Sequence, residues 1–415
     1  MATTITAGDR IDTLDIVRGV AVMGILVMNI AAFAMPFPAY ANPAAYGGDS
    51  GVNLASWLFN FILFDGKMRG LFSILFGAST LLVIQRATAS GRSAARTHVA
   101  RMIVLLGFGL AHFYFIWWGD ILALYAQCGL LLYFFRDKPM RSLVRWSIAM
   151  LALSILYFSL TGLSGALADR PGFPPNAAAS FTKARDAIAS EVGAGSPKIA
   201  SELALYRSDY ATIVDSRLNG RRWEPFLAII GFGFETLGLM LLGMALFKSG
   251  FLTGDWDRDR YRRWAVRAPL IALPPLVFLA WWQVSANFDA VRTFLAFFAL
   301  STPSDVLLAI GWAAAIIWWA KGGALPALRD RVGAAGRMAF TNYLMTSVVM
   351  TSLFYGYGLG LFGSVPRIGM WLFVLGMWGL ILLWSKPWLD RFHYGPLEWL
   401  WRSLARGQLQ PMRKA

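Results

Sequence analysis

The chain has 415 residues, 57% of them hydrophobic and only 15% charged, with a mean hydropathy of +0.53 and a formal net charge of +15. That composition excludes an ordinary water-soluble globular protein, which needs more polar cover, and describes a chain whose main solvent is lipid. The positive charge would suit nucleic acid, but the basic residues sit in short connectors between apolar runs, where the cytoplasmic excess of Lys and Arg in membrane proteins accounts for them.

Ten apolar segments predict membrane spans at about 14–34, 67–86, 99–118, 120–135, 144–163, 226–247, 268–283, 303–320, 338–360 and 368–385. The fold class is therefore all-α: a polytopic helix bundle of about ten transmembrane helices. Connectors crowded with Lys and Arg alternate with connectors poor in them. With the N-terminus placed inside, 25 of the 38 basic residues fall on the inner side, among them Arg10, Arg86, Arg92, Arg258, Arg260, Arg263 and Arg413. Both termini are then cytoplasmic, N-in and C-in. No cleavable signal is expected, because the first apolar run follows Asp9, Asp12 and Asp15 without a small-residue cleavage pattern.

Residues 164–225 break the short-loop pattern and divide the chain into a five-span N-terminal half (1–163), an extracytoplasmic loop (164–225) and a five-span C-terminal half with a cytoplasmic tail (226–415). The loop opens irregularly with ADRPGFPPNAAAS, and the apolar spacing of Ile188, Val192, Ile199, Leu203, Tyr206, Tyr210 and Ile213 predicts an amphipathic helix from about Phe181 to Leu218. Its basic residues do not forbid an outside location, since long loops translocate largely regardless of charge. Residues 36–66 form the other outside segment, in which Leu54–Phe64 is too short to span and is expected to lie in the interface or re-enter. The two halves share no convincing motif correspondence, and an inverted-repeat arrangement stays open without support. Trp pairs such as Trp117-Trp118, Trp281-Trp282 and Trp318-Trp319 fall at span ends, as interfacial anchors do. The single Cys128 precludes an internal disulfide, and the three His at 98, 112 and 393 lack ligand spacing, so no metal is expected.

A charge in hydrocarbon costs at least ~2.5–3.5 kcal/mol on insertion scales, so each ionisable residue in a span needs a reason. Arg18, a turn inside span one, either snorkels, pairs with Asp15 or Asp12, or binds an anionic group such as donor phosphates. Asn29 closes the same span near the outer face. Lys67 and Arg69 stand at the outer start of span two and point to different helix faces. His112 lies near the outer end of span three, and Asp120 marks the turn to span four; His beside a carboxylate suits general-base work. Glu235 lies within span six, where pairing with Arg or His is the usual escape, and glycines 231, 233, 238 and 243 beside it suggest close helix approach. Arg337 and Asn342 occupy the start of span nine, and Glu398 has Arg402 four residues on as an exposed helix partner.

The runs LDIVRGVAVMGILVMNI (14–30), GKMRGLFSILFGAS (66–79), GLAHFYFIWWGDILALYAQCGLL (109–131), GRMAFTNYLMTS (336–347), FYGYGLGLFG (354–363) and HYGPLEWLWR (393–402) together resemble the YeiB-like bacterial membrane proteins, domain-of-unknown-function family 418. That family looks like a branch of the transmembrane acyltransferases, with heparan-alpha-glucosaminide N-acetyltransferase and the acyltransferase-three family, which share the LD..RG run matched by Leu14, Asp15, Arg18 and Gly19. The resemblance implies a multi-pass protein of the bacterial inner membrane. It also implies transfer of an acyl group from a cytoplasmic thioester to an extracytoplasmic acceptor. Asn29 stands where acyltransferase-three proteins place a catalytic His, and residues 30–97 contain no His.

Two activities fit these residues. In an acyltransferase, Arg18 and the basic 258–267 connector meet the phosphates of a donor such as acyl-CoA, His112 oriented by Asp120 is the catalytic base, and Lys67 or Arg69 stabilises the oxyanion. In a transporter or exporter of a small anionic or amphipathic solute, Lys67, Arg69, His112 and Glu235 line the path. Asn29, Arg337 and Asn342 complete the expected substrate-binding set. No permanently bound cofactor is expected; the partners are membrane lipids and a small-molecule or lipid-like substrate, with a homodimer an open option and no nucleic acid.

Overall fold

The computed structural model describes residues 11–168 and 170–414, so Asp9, Arg10 and Asp169 of the sequence reading lie outside it. Among the described residues the chain is helical, with one isolated antiparallel bridge, Phe392 to Arg413. Every apolar segment is a helix: α1 (Asp12–Ala34), α4 (Lys67–Ala89), α5 (Ala94–Phe115), α6 (Leu122–Leu132), α7 (Met140–Ala166), α11 (Glu224–Lys248), α12 (Arg258–Val284), α14 (Thr302–Lys321), α16 (Ala339–Phe354) and α17 (Met370–Arg391). Eight helical stretches among the described residues are long and apolar enough to cross a bilayer; the segments at α6 and α16 are shorter. The remaining helices are α2 (Pro38–Ala41), α3 (Gly51–Leu63), α8 (Pro175–Val192), α9 (Lys198–Tyr206), α10 (Tyr210–Asp215), α13 (Ala290–Leu295), α15 (Pro326–Arg337) and α18 (Pro396–Arg406).

A helix that is apolar all round belongs inside a bundle, and α1 is such a helix: 83% of its apolar window is buried, against 22% for α7. α1 packs on α4, α14, α15, α16 and α17. α7 turns Ile148, Leu156 and Leu160 outward, α12 Leu270 and Ile271, and α17 Leu372 and Leu383, as lipid-facing surfaces require. Close crossings rest on glycine. A Cβ on Gly77 of α4 would strike the Met240 carbonyl of α11, and one on Gly243 of α11 would strike the Ile74 carbonyl of α4. Helices from either side of the long loop thus pack directly together.

Leu54–Phe64, expected to re-enter or lie flat, belongs to α3, whose Trp57 and Phe61 are buried against α12 and the 288–297 segment. A turn at Phe64–Gly66 leads straight into α4. The single amphipathic helix expected over 181–218 is instead three, α8, α9 and α10, followed by a π turn at Ser216–Gly220. The breaks have local causes: α8 ends at Gly193, Pro197 precedes α9, and the Asp209 side chain accepts the Thr212 N–H to start α10 afresh. These pieces are fastened over one end of the bundle. Asn42 donates to the Val192 and Phe288 carbonyls at 2.7 and 3.1 Å, Glu202 accepts the Phe37 N–H, and Arg207 donates to the Phe362 carbonyl. We call this end the loop side. The start of α1 and the His393-Tyr394 turn meet at the opposite end, the termini side.

Candidate functional site: two polar cavities that meet at Tyr343

A cavity of about 320 Å³ opens on the loop side, walled by Phe37, Tyr40, Trp117, Trp118, Phe297 and Phe298. Its floor carries the charges. Gly66, at φ +72, starts α4 in a conformation only glycine adopts freely, and the turn lies so close to α14 that a Cβ there would strike the Asp305 carboxylate. Lys67 emerges from this turn, 1% exposed, with Nζ 2.6 Å from Asp305 Oδ1 and donating to the Phe61 carbonyl. Two residues on, Arg69 Nη1 is 3.0 Å from Glu235 Oε2 of α11. The cations on neighbouring positions of α4 therefore face two different helices. Burying these ions is costly, and each pair offsets that cost by holding two helices in register. Asp65 accepts from the Tyr40 hydroxyl at 3.0 Å and from the Gly66 N–H.

Beside this floor His112 Nδ1 lies 2.8 Å from Asp120 Oδ1, and the other Asp120 oxygen accepts the Ala123 N–H at the start of α6. The aspartate thus anchors both an imidazole and a helix end. Both side chains are sequestered from solvent, and His112 Nε2 has no hydrogen-bond partner among the described residues. The imidazole packs on Trp117 and, with ring centroids 5.3 Å apart, on Tyr343 of α16. Asp120 lines the cavity; His112 sits behind Trp117 and Tyr343.

The second cavity, about 380 Å³, opens on the termini side. Arg18, Arg86, Arg101, Arg337 and Arg402 line it, against Asp15 and Glu398. Arg18 bridges Asp15 Oδ1 at 3.0 Å and the Ser79 hydroxyl at 2.8 Å, the pairing with Asp15 that the sequence allowed. Arg101 lies 4.2 Å over the Trp401 ring and Arg402 4.7 Å over Tyr394, neither with a carboxylate in ion-pair range among the described residues. Glu398 does not pair with Arg402. It accepts the Phe340 and Thr341 N–H groups and the Thr341 hydroxyl, capping α16 from α18, and burial pushes its carboxyl above the usual range. Tyr343 lines both cavities.

The sequence-selected residues therefore separate into groups. Asn29, Lys67, Arg69, Asp120 and Glu235 come together on the loop-side cavity, with His112 directly behind it. The Asn29 side chain makes no hydrogen bond among the described residues. Arg18 and Arg337 line the termini-side cavity. Asn342 reaches neither: fully buried, it donates to the Ala335 carbonyl and the Ser385 hydroxyl and accepts from Trp384 Nε1, tying the α15–α16 break to α17. The basic 258–267 connector does not line the termini-side cavity. Among the described residues no group of three or more His, Cys, Asp or Glu could hold a metal ion. Sequence reasoning missed Asp65, Asp305, Tyr343, Arg101 and Arg402. Asp65 and Asp305 did carry a signal, as acids flanking apolar runs.

Long apolar helices enclosing polar, charge-lined cavities define a polytopic membrane protein. The chain is 31% identical to the uncharacterized protein YeiB of Escherichia coli (strain K12), over 95% of this chain and 96% of that one, and 30% identical to the uncharacterized protein YxaH of Bacillus subtilis (strain 168), over 98% and 96%. Residues 246–408 match the family described as "Protein of unknown function (DUF418)". The chain belongs to this YeiB-like family. No solved structure matches it.

Proposed function

We propose that the protein transfers an acyl group from a thioester held in the termini-side cavity to an acceptor in the loop-side cavity. One observation supports this reading above others: Tyr343 lines both cavities and packs against His112, whose Nδ1 is held by Asp120 while Nε2 is unpartnered. With Nδ1–H donating to the carboxylate, Nε2 presents a lone pair, as a general base requires. The acceptor O–H or N–H gives its proton to Nε2 as its oxygen or nitrogen bonds to the thioester carbonyl carbon. The carbonyl electron pair moves onto oxygen, and its return breaks the C–S bond. The thiolate leaves and takes the proton back from His112. Lys67 is 1% exposed and held by Asp305 and the Phe61 carbonyl, whereas Arg69, paired through Nη1 with Glu235, has a side chain 29% exposed and further guanidinium N–H groups to offer the oxyanion. Tyr343 must turn aside for a thioester to reach Nε2. Five arginines against two acids favour donor phosphates on the termini side.

In this reading both termini and the basic connectors face the cytoplasm of a bacterial cell, the membrane is the inner one, and the loop side is extracytoplasmic. A transporter is the second reading, favoured by the Lys67–Asp305 and Arg69–Glu235 pairs, which join α4 to α14 and α11 and would exchange partners during alternation. Purified protein in nanodiscs separates the two. Acyl transfer predicts thermal stabilisation by acetyl-CoA and release of free thiol; proton-gradient-driven solute uptake without thiol release would establish transport.

A further inference from the structure

We propose that the loop-side cavity binds an amphipathic primary amine, with its ammonium group on Asp65. The inference rests on the reading of this cavity as the acceptor side and names the acceptor's chemistry: the bound ammonium gives one proton to the Asp65 carboxylate to become a nucleophilic amine, and its nitrogen gives the second to His112 as it bonds to the thioester carbon. Its basis is charge matching. The deep cations are already matched one to one, Lys67 to Asp305 at 2.6 Å and Arg69 to Glu235 at 3.0 Å, and at the rim Arg221 is matched to Glu224 at 2.7 Å. Two lining carboxylates are left over, Asp65 and Asp120. Asp120 spends both oxygens, one on His112 and one on the Ala123 N–H.

Asp65 differs. It is 8% exposed, and both of its hydrogen bonds, from the Tyr40 hydroxyl and the Gly66 N–H, fall on Oδ1. Oδ2 has no hydrogen-bond partner among the described residues, no cation lies within ion-pair range, and the side chain lines the cavity. A buried carboxylate in that position takes either a proton or a cation. The walls select which cation: the aromatic rings of Tyr40, Phe297 and Trp118 surround the same space and match an apolar or aromatic body carrying the ammonium.

The probe is tyramine, with the neutral analogue tyrosol, in which a hydroxyl replaces the amine, and sodium chloride against an osmotically matched sucrose buffer as the inorganic-cation control. Binding is measured by calorimetry on the whole protein in nanodiscs at neutral pH. Tyramine is expected to bind at least ~10-fold more tightly than tyrosol, an ammonium–carboxylate preference. Asp65→Asn should abolish that preference and Asp65→Glu should retain it. Tyr40→Phe, which leaves the carboxylate in place, should also retain it, and a melting temperature near the parent's shows that the Asn variant is folded. Equal or absent binding of the two probes would overturn the inference, as would a preference surviving Asp65→Asn or a sodium effect that replaces the amine. Amine binding in a protein that releases no thiol from acetyl-CoA would sink the acyl-transfer reading and leave the amine site standing.

Discussion

His112 is where a single side chain decides the chemistry. A buried imidazole with one nitrogen on a carboxylate and the other unpartnered is either a base awaiting substrate or a packing residue between Trp117 and Tyr343. The two roles respond differently to substitution. As a base, His112→Ala should lower turnover by ~100-fold or more with the fold intact, and His112→Gln should be equally inactive. As a packing residue, the Gln variant would keep near-normal turnover and the Ala variant would lose melting temperature first. Measuring both quantities on both variants settles it. Arg18 offers a similar contrast: its fork reaches Asp15 and Ser79 at once, which one ammonium does less well. Arg18→Lys should therefore weaken acetyl-CoA binding several-fold, and unchanged affinity would remove Arg18 from the donor site.

At the level of helices, α16 is held by its neighbours more than by its own sequence. It is sixteen residues long, starts after a break at Met338, and lacks a local side-chain cap. Glu398 supplies the cap from α18, and Asn342 ties the break to α17. Because α16 carries Tyr343, these contacts set the position of the wall between the cavities. Glu398→Ala should cost about 1 kcal/mol, the usual worth of a helix cap, and lower the melting temperature, with Glu398→Gln losing less. An unchanged melting temperature in the Ala variant would show that the cap does not hold α16. The packing of α15 on α1 is tighter still, since a Cβ on Gly336 would collide with the Asp15 carbonyl. Gly336→Val should abolish monodisperse protein in size-exclusion chromatography. The glycines of α11 illustrate what sequence can and cannot show: Gly243 crosses α4 and Gly238 approaches Ser147 and Leu151 of α7, but Gly231 meets nothing within 4 Å. A glycine permits close approach without requiring it.

Across the whole molecule, hydropathy located ten helical segments, eight of which fall in stretches long and apolar enough to cross a bilayer, because lipid imposes a length and composition on anything that crosses it. Glu235 signalled its need for an Arg or His partner by its cost. That the partner is Arg69, 166 positions away, is a property of packing that no spacing encodes. Asp120 could be set against His112 because a short hairpin turn joins their helices. Tyr343 was invisible, since a tyrosine in an apolar helix looks like any other packing residue until cavities are mapped on both sides of it. The long loop was misread as one helix because its apolar spacing outlasts the Gly and Pro breaks within it. The proposed orientation rests on the basic residues alone. In a Cys128→Ser background, a cysteine at position 195 should react with a membrane-impermeant reagent from outside and one at position 260 should not; the reverse would invert the assignment. The measurement that bears most directly on acyl transfer across the bundle uses proteoliposomes oriented with the termini side out and acetyl-CoA carrying a labelled acetyl group outside. Acyl transfer across the bundle predicts free thiol outside and labelled acetyl recovered in the lumen on any acceptor, water included, with both signals lost in His112→Ala. Label that stays outside, or thiol release unaffected by His112→Ala, would contradict it.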